Sequence, residues 1–112
     1  MNFDTDKPIY LQIVDAICDR ILSGEWKGDD RIPSIREYGA EIGVNPNTMM
    51  RVYEKLTADG VIYNKRGIGY FVADDAPDTI LSARRKEFLE KDVPAIRKRL
   101  DLLGLDSSVF NN

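Results

Sequence analysis

Apolar residues recur at helical spacing in the first part of the chain. The stripe consists of Ile9, Ile13, Ala16, Ile17 and Ile21. It predicts a helix that opens at Lys7–Pro8 and ends at Gly24, because proline suits a first helical turn and glycine suits the position after the last one. In the turn-rich segment that follows, we expect Trp26 to anchor onto the core and Arg31–Ile32 to form a short strand.

Two short helices separated by a tight turn are predicted next. Ser34 and Glu37 have the spacing of a capping box, in which each side chain accepts a hydrogen bond from the other residue's backbone N–H. The second helix therefore starts at Ser34 and stops at Gly43. Asn45 is a good N-cap and Pro46 fits the first position of a third helix, so the pair has the helix-turn-helix pattern. The residues expected to face inward from the second helix are Ile35, Tyr38 and Ile42.

The third helix separates an apolar face from a polar one. The apolar positions are Met49, Val52, Tyr53 and Leu56. Asn47, Thr48 and Arg51 lie off that face, and their amide, hydroxyl and guanidinium groups are those that hydrogen-bond to base edges and phosphates in a major groove. The alternative is an ordinary amphipathic helix with a solvated polar face. The neighbouring elements favour a recognition helix.

A β-hairpin with a basic loop follows the third helix. Two β-prone runs, at residues 61–64 and 70–72, flank a loop that carries Lys65, Arg66 and two glycines. Such a loop can approach a phosphate backbone closely. The alternative, an exposed hairpin with incidental charge, is disfavoured by the helix-turn-helix before it. The sequence therefore predicts an α+β fold with a winged helix-turn-helix domain at residues 1–73.

Residues 74–112 are predicted to form a C-terminal α-helical region. The acidic segment 74–78 contains Pro77 and is expected to be a linker, helical spacing resumes at Thr79, and Pro94 must kink or split the helix. Such a helix finds too little apolar surface within its own chain, so we expect its apolar face to be a dimer contact. The positions assigned to this contact are Ile80, Leu81, Phe88, Leu89, Ile96, Leu100 and Leu103.

The charge distribution agrees with a nucleic-acid-binding segment despite a net charge of −3. Residues 31–70 carry six basic and four acidic side chains, a surplus of +2, whereas residues 1–30 carry three basic and seven acidic ones. The surplus coincides with the predicted recognition elements. The basic clusters at 84–86 and 97–99 are interpreted instead as a solvated helix face offset by nearby acids.

Composition argues against several other classes of protein. The chain has no histidine, and its carboxylates are scattered among basic residues, so we expect neither an enzyme nor a metal site. The single cysteine, Cys18, falls in a helical pattern and is expected to be buried. The apolar runs are far shorter than a membrane span and the N-terminus lacks a signal sequence, so we expect a cytoplasmic protein without a membrane partner.

The chain resembles the N-terminal domain of the GntR family of bacterial transcription regulators over residues 8–72. The matching stretches are PIYLQI at 8–13, ILSGEW at 21–26, RIPSIRE at 31–37, GVNPNT at 43–48 and RVYEKLTADGVIYNKRGIGYFV at 51–72. The short C-terminal region is similar to that of the YtrA subfamily. The resemblance implies a homodimer on a palindromic double-stranded DNA operator, often of a transporter operon, with no cofactor and with room for a small-molecule effector.

The resemblance also implies roles for individual residues. The DNA-binding positions carried over are Ser34, Arg36, Asn45, Asn47, Thr48, Arg51, Lys65, Arg66 and Gly69. Two positions depart from the family pattern. Gly39 replaces the usual alanine, which is expected to cost about 1 kcal/mol of helix stability. Tyr70 replaces a small threonine after the wing glycine and is expected to change how the wing meets the minor groove. The rival hypothesis is a winged-helix protein-interaction module that does not bind DNA.

Overall fold

The computed structural model describes residues 7–111, which divide into two compact units between Ile80 and Leu81. In chain order the elements are α1 (Ile9–Leu22), α2 (Ile35–Ile42), α3 (Pro46–Ala58), β1 (Ile62–Lys65), β2 (Gly69–Val72), α4 (Ala76–Glu87), a π-helical turn (Phe88–Asp92), α5 (Val93–Leu102) and a 3-10 helix (Ser107–Phe110). None of the helices within residues 7–111 has the length and apolar character needed to cross a membrane. The predicted α+β class is confirmed.

The core of the first unit gathers the predicted apolar faces of α1 and α3 around the hairpin. The fully buried large side chains are Tyr53, Ile17, Met49, Leu56, Ile62, Val52 and Val72. Cys18 is buried beside them, as predicted. Ile42 was expected inside but is 40% exposed, because it is the last residue of α2 and the chain turns away at Gly43. Ile9 and Ala16 also lie outside the core.

Trp26 anchors the connection between α1 and α2, as predicted. Its ring meets the ring of Tyr38 edge to face, with centroids 5.7 Å apart. The Arg20 guanidinium lies 4.3 Å from the centre of the Trp26 ring and donates hydrogen bonds to the Tyr38 hydroxyl at 3.2 Å and to Glu25 at 2.6 Å. This cluster fixes the end of α1 against α2.

The hairpin pairs β1 with β2 in antiparallel register, from Ile62 opposite Val72 to Lys65 opposite Gly69. Arg31 forms an isolated bridge with Phe71, so the expected short strand is present as a single bridge.

The turn between α2 and α3 is tight because glycine occupies positions 39 and 43. Gly43 adopts a left-handed conformation with φ of 70°, and the Val44 N–H donates to the Gly39 carbonyl at 2.8 Å. A Cβ atom on Gly39 would lie 2.9 Å from the Val44 carbonyl oxygen and 3.1 Å from Cγ of Met49. Packing therefore requires glycine at position 39. The helix-propensity cost expected from the sequence does not include this requirement.

We expect Gly39→Ala to lower the free energy of unfolding by up to about 2 kcal/mol. The added methyl group meets backbone, and overpacking of about 1–3 kcal/mol outweighs a helix-propensity gain of about 1 kcal/mol. Urea denaturation measures the change. Ala40→Gly, at an exposed position of the same helix, reports the propensity contribution alone. A higher urea midpoint for Gly39→Ala than for the wild type would contradict this expectation, because it would mean that the turn shifts to accommodate the added methyl group.

The predicted linker at Asp74–Asp78 is wrong, because α4 already begins at Ala76. Pro77 lies in the first turn of α4, where its missing N–H leaves no hydrogen bond unmade. Ala76 and Ile80 are buried in the core of the first unit, so the start of this helix belongs to that core.

In the second unit a π-helical turn accommodates Pro94. The turn covers Phe88–Asp92, and the Val93 N–H donates to the Phe88 carbonyl, five residues back. Pro94 follows at the start of α5. The structure therefore shows a local widening of the helix at the point where the sequence predicts a kink or split.

Candidate nucleic-acid interface

The N-terminus of α3 is capped as the sequence predicts. The Asn45 side-chain oxygen accepts a hydrogen bond from the Asn47 N–H at 2.8 Å, and Pro46 opens the helix. The Asn47 and Arg51 side chains are exposed and Thr48 is half-buried. Because its oxygen is used for capping, Asn45 has its amide N–H₂ group left for a contact outside the protein.

Arg51 does not extend freely from α3. Its guanidinium carbon lies 4.1 Å from the centre of the Tyr10 ring on α1, a cation–π contact. The half-buried Tyr10 packs against the core. No local pattern in the sequence identifies Tyr10, because this contact joins residues far apart in the chain.

The start of α2 carries the predicted capping box. The Ser34 hydroxyl oxygen accepts from the Glu37 N–H, and a Glu37 carboxylate oxygen accepts from the Ser34 N–H, both at 3.1 Å. Hydrogen bonds donated by the Ser34 backbone N–H and, next in size, by the Ser34 side chain hold the pKa of the Glu37 carboxyl below its ordinary value. Arg36, two residues into the helix from the cap, is exposed.

The wing presents its cations on an aromatic support. The Tyr63 and Phe71 rings stack with centroids 5.7 Å apart, and the Lys65 ammonium lies 4.6 Å from the centre of the Phe71 ring. Arg66 is exposed at the loop. The Lys65 side chain is therefore held along the hairpin face.

Gly69 makes room for Arg31, a cation that the sequence pattern placed in a short strand and not among the DNA-binding residues. Its φ is 146°, and a Cβ atom there would lie 3.0 Å from Nε of Arg31. The same Arg31 contributes to the lowered pKa of Glu37, after the Ser34 hydrogen bonds. Arg31 thus lies between the wing and the start of α2.

Tyr53 and Tyr70 connect the remaining parts of the candidate interface. The Tyr53 hydroxyl donates to the Pro33 carbonyl at 2.6 Å, which ties α3 to the residue before the α2 cap. The Tyr70 ring meets Tyr53 edge to face at 4.9 Å. The Tyr70 ring thus packs on α3 and connects it to the wing. Its expected effect on how the wing meets a minor groove stays a prediction. Direct contacts therefore connect α3 to the residue before α2 and to the wing.

The predicted dimer residues fall into two groups. Ile80 is 3% exposed within the core of the first unit, so its assignment to a dimer contact does not fit its position. In the second unit, Phe88, Leu89, Ile96 and Leu103 are exposed, and Leu81 and Leu100 are half-buried. Phe88, Ile96 and Leu100 line a cavity of about 360 Å³ in that unit. Among residues 7–111, no cluster of acidic or cysteine side chains is arranged to hold a metal ion.

A helix-turn-helix followed by a hairpin with a basic loop defines the winged helix-turn-helix class of protein. Residues 9–72 match the family described as bacterial regulatory proteins, gntR family. The chain belongs to this family. Its members are transcription regulators, so the chain is a DNA-binding regulator and not an enzyme.

Two curated relatives come from Bacillus subtilis. The uncharacterized HTH-type transcriptional regulator YhcF is 38% identical over 106 residues, which cover 93% of this chain and 84% of that protein. The HTH-type transcriptional repressor YtrA is 35% identical over 77 residues, which cover 69% of this chain and 59% of that protein. The predicted resemblance to YtrA-like members of the family is confirmed.

Solved structures share the fold. A putative GntR-family regulator from Bacteroides thetaiotaomicron has a TM-score of 0.80 and 48% identity, covering 92% of this chain and 89% of that one. The DNA-binding domain of AraR in complex with operator ORX1 has a TM-score of 0.57 and 31% identity, covering 60% of this chain and 81% of that one. The second structure shows a related domain bound to operator DNA.

Proposed function

We propose that the chain binds a palindromic DNA operator as a homodimer and acts as a transcriptional repressor. Each copy places the N-terminal half of α3 in a major groove, and the two grooves lie one helical turn, roughly 34 Å, apart. The observation that carries the proposal is the capped start of α3, which leaves Asn47 and Arg51 exposed beside a basic wing. Repression is supported by the likeness to the repressor YtrA.

The residues divide the work between reading and holding the DNA. Arg51 and Asn47 contact base edges, since guanidinium and amide groups form paired hydrogen bonds with guanine and adenine. Thr48 helps to set the position of these two side chains relative to the base pairs. The remaining proposed contacts are made to DNA phosphates and set the orientation of the protein on the duplex. They come from Ser34, Arg36, Asn45, Lys65, Arg66 and Gly69.

The contact with Tyr10 gives Arg51 an advantage as a reading residue. A long arginine side chain loses rotamer freedom when it is fixed on a base, and this loss opposes binding. Stacking on Tyr10 restricts the guanidinium before DNA arrives. Part of that entropic cost is therefore met during folding.

The homodimer is proposed to form through the second unit. Leu89, Ile96 and Leu103 leave a large apolar surface open in a single copy, and a second copy can cover it. A small-molecule effector that prefers one dimer geometry would then change the spacing of the two reading helices and so the affinity for DNA. The YtrA-like resemblance favours a transporter operon as the target. A transporter cassette beside the gene, preceded by an inverted repeat, would support this assignment.

We expect Arg51→Ala and Lys65→Ala to weaken DNA binding in different ways. Arg51→Ala should cost about 1–3 kcal/mol on the preferred operator and relax base preference, because a base contact is lost. Lys65→Ala should weaken all sequences about equally and reduce the salt dependence, because a phosphate contact is lost. Gel shifts on the chain's own upstream DNA and on scrambled duplexes, at several salt concentrations, measure both effects.

Lys98→Ala in the second unit is the matched control, since it removes one exposed cation outside the interface. Normal operator binding and selectivity by Arg51→Ala would contradict the assignment of Arg51. If the wild-type chain shows no salt-dependent DNA binding at all, the rival hypothesis of a protein-interaction module is favoured.

A further inference from the structure

Two adjacent methionines on α3 have opposite environments. Met49 is fully buried in the core, whereas Met50 is 49% exposed. The core accounts for Met49. Packing does not account for Met50, which places a long apolar side chain at the surface of the helix proposed to enter the major groove.

Met50 shares the solvent-exposed side of α3 with Asn47 and Arg51. Residues three and four apart on a helix are neighbours on its surface, so Asn47 lies beside both Met50 and Arg51. Three residues advance a helix by roughly 4.5 Å. This is close to the distance of roughly 3.4 Å between successive bases of one strand. Asn47 and Met50 can therefore reach neighbouring base pairs.

The major groove offers one apolar group on its base edges, the C5-methyl of thymine. We propose that Met50 is a specificity-determining residue that contacts this methyl group, next to the base pair read by Asn47. The inference rests on the proposed function of α3. A flexible thioether side chain suits such a contact, because it adapts its shape to a small apolar group. An isolated exposed apolar residue is common on protein surfaces, so the position of Met50 among the proposed reading residues carries the inference.

Deoxyuridine provides a direct test, because it differs from thymidine only by lacking the C5-methyl group. The probe is a duplex selected by the full-length wild-type chain from a random library. Each thymine, together with its symmetry mate, is then replaced by uracil. Dissociation constants are measured for the wild type, Met50→Ala and Met50→Leu, with thermal unfolding of each variant as a check on folding.

The wild type is expected to lose roughly fourfold in affinity for each methyl group removed, hence roughly 15-fold for a symmetric pair, at one position of the half-site. Met50→Ala should lose a similar amount on the thymine duplex and should be indifferent to uracil at that position. Met50→Leu should retain most of the sensitivity. This pattern is a double-mutant cycle between the side chain and the methyl group.

Two results overturn the inference while leaving the proposed function intact. One is a wild-type chain that binds the selected duplex but is insensitive to uracil at every position. The other is a loss on uracil that is equal in the wild type and in Met50→Ala. Failure of the wild type to enrich any duplex overturns the inference together with the proposed function.

Discussion

Replacing Leu89 and Ile96 together by lysine should convert the proposed dimer to a monomer and lower operator affinity by about 10²–10⁴-fold. Both side chains are exposed in a single copy, at 64% and 41%, so the substitutions should leave each unit folded. Two ammonium groups in an apolar contact are costly to desolvate. Two linked binding sites gain an affinity of this size over one site, and a monomer loses that gain.

The added positive charge should strengthen non-specific attraction to DNA, so it acts in the direction opposite to the expected loss of affinity. Weaker operator binding therefore cannot come from electrostatics. Sedimentation equilibrium measures the oligomeric state, and fluorescence anisotropy with a labelled operator measures affinity. Ser82→Lys, at an exposed polar position, is the control for charge alone. A double variant that remains a dimer would exclude Leu89 and Ile96 from the contact.

Tyr53→Ala should lower the free energy of unfolding by about 3–5 kcal/mol, the cost of emptying a large aromatic site in a core. Tyr53 is fully buried, packs on Tyr70 and donates a hydrogen bond to the Pro33 carbonyl. A domain of this size has a total stability of about 5–15 kcal/mol, so the loss is severe. Guanidinium denaturation followed by circular dichroism measures it. A loss below about 1 kcal/mol would mean that the core refills the space.

Tyr53→Phe separates the ring from the hydroxyl. It should cost only about 1 kcal/mol near neutral pH, where one hydrogen bond is lost. Burial, followed by the neighbouring Tyr38 and Tyr70, raises the pKa of Tyr53 above its ordinary value of 10.0. The folded wild type therefore keeps this proton while the unfolded chain releases it, and stability falls as pH rises above 10. In that range the advantage of wild type over Tyr53→Phe should shrink by about 1.4 kcal/mol per pH unit. An advantage that stays constant to pH 11.5 would contradict the raised pKa.

Local patterns in the sequence were enough to predict the caps and faces of the helices. The capping box at Ser34, the N-cap at Asn45 and the left-handed Gly43 each depend on residues within a few positions of one another. The same is true of the hairpin, whose loop chemistry and flanking β-prone runs are contiguous. The predicted linker was wrong because Pro77 suits a first helical turn as well as it suits a loop, and the buried partners of Ala76 lie elsewhere in the chain.

Contacts between distant parts of the chain were beyond the sequence analysis. The stacking of Arg51 on Tyr10, the space that Gly69 leaves for Arg31 and the need for glycine at position 39 all depend on how elements pack. Ile80 shows the same limit, since its helical spacing matched the apolar positions that follow it but its side chain packs into the first unit. The identity of the candidate binding residues came from local pattern and family resemblance, whereas their orientation required the fold.

The widened turn at Phe88–Asp92 changes the angular phase of every side chain that follows it in α5. In a regular helix each residue advances by about 100°, so eight residues would leave Phe88 and Ile96 about 80° apart. One extra residue in the turn is equivalent to removing about 100° from that angle, which brings the two side chains to within about 20° of alignment. Both line the same cavity in the second unit. Deleting a single residue from this turn would restore regular winding and keep Ile96 aligned with Phe88, because seven regular steps of about 100° also end about 20° short of two full turns. Regular winding of the undeleted segment would instead leave the two side chains about 80° apart, so the extra residue and the wide turn compensate for each other in setting which side chains a partner copy meets.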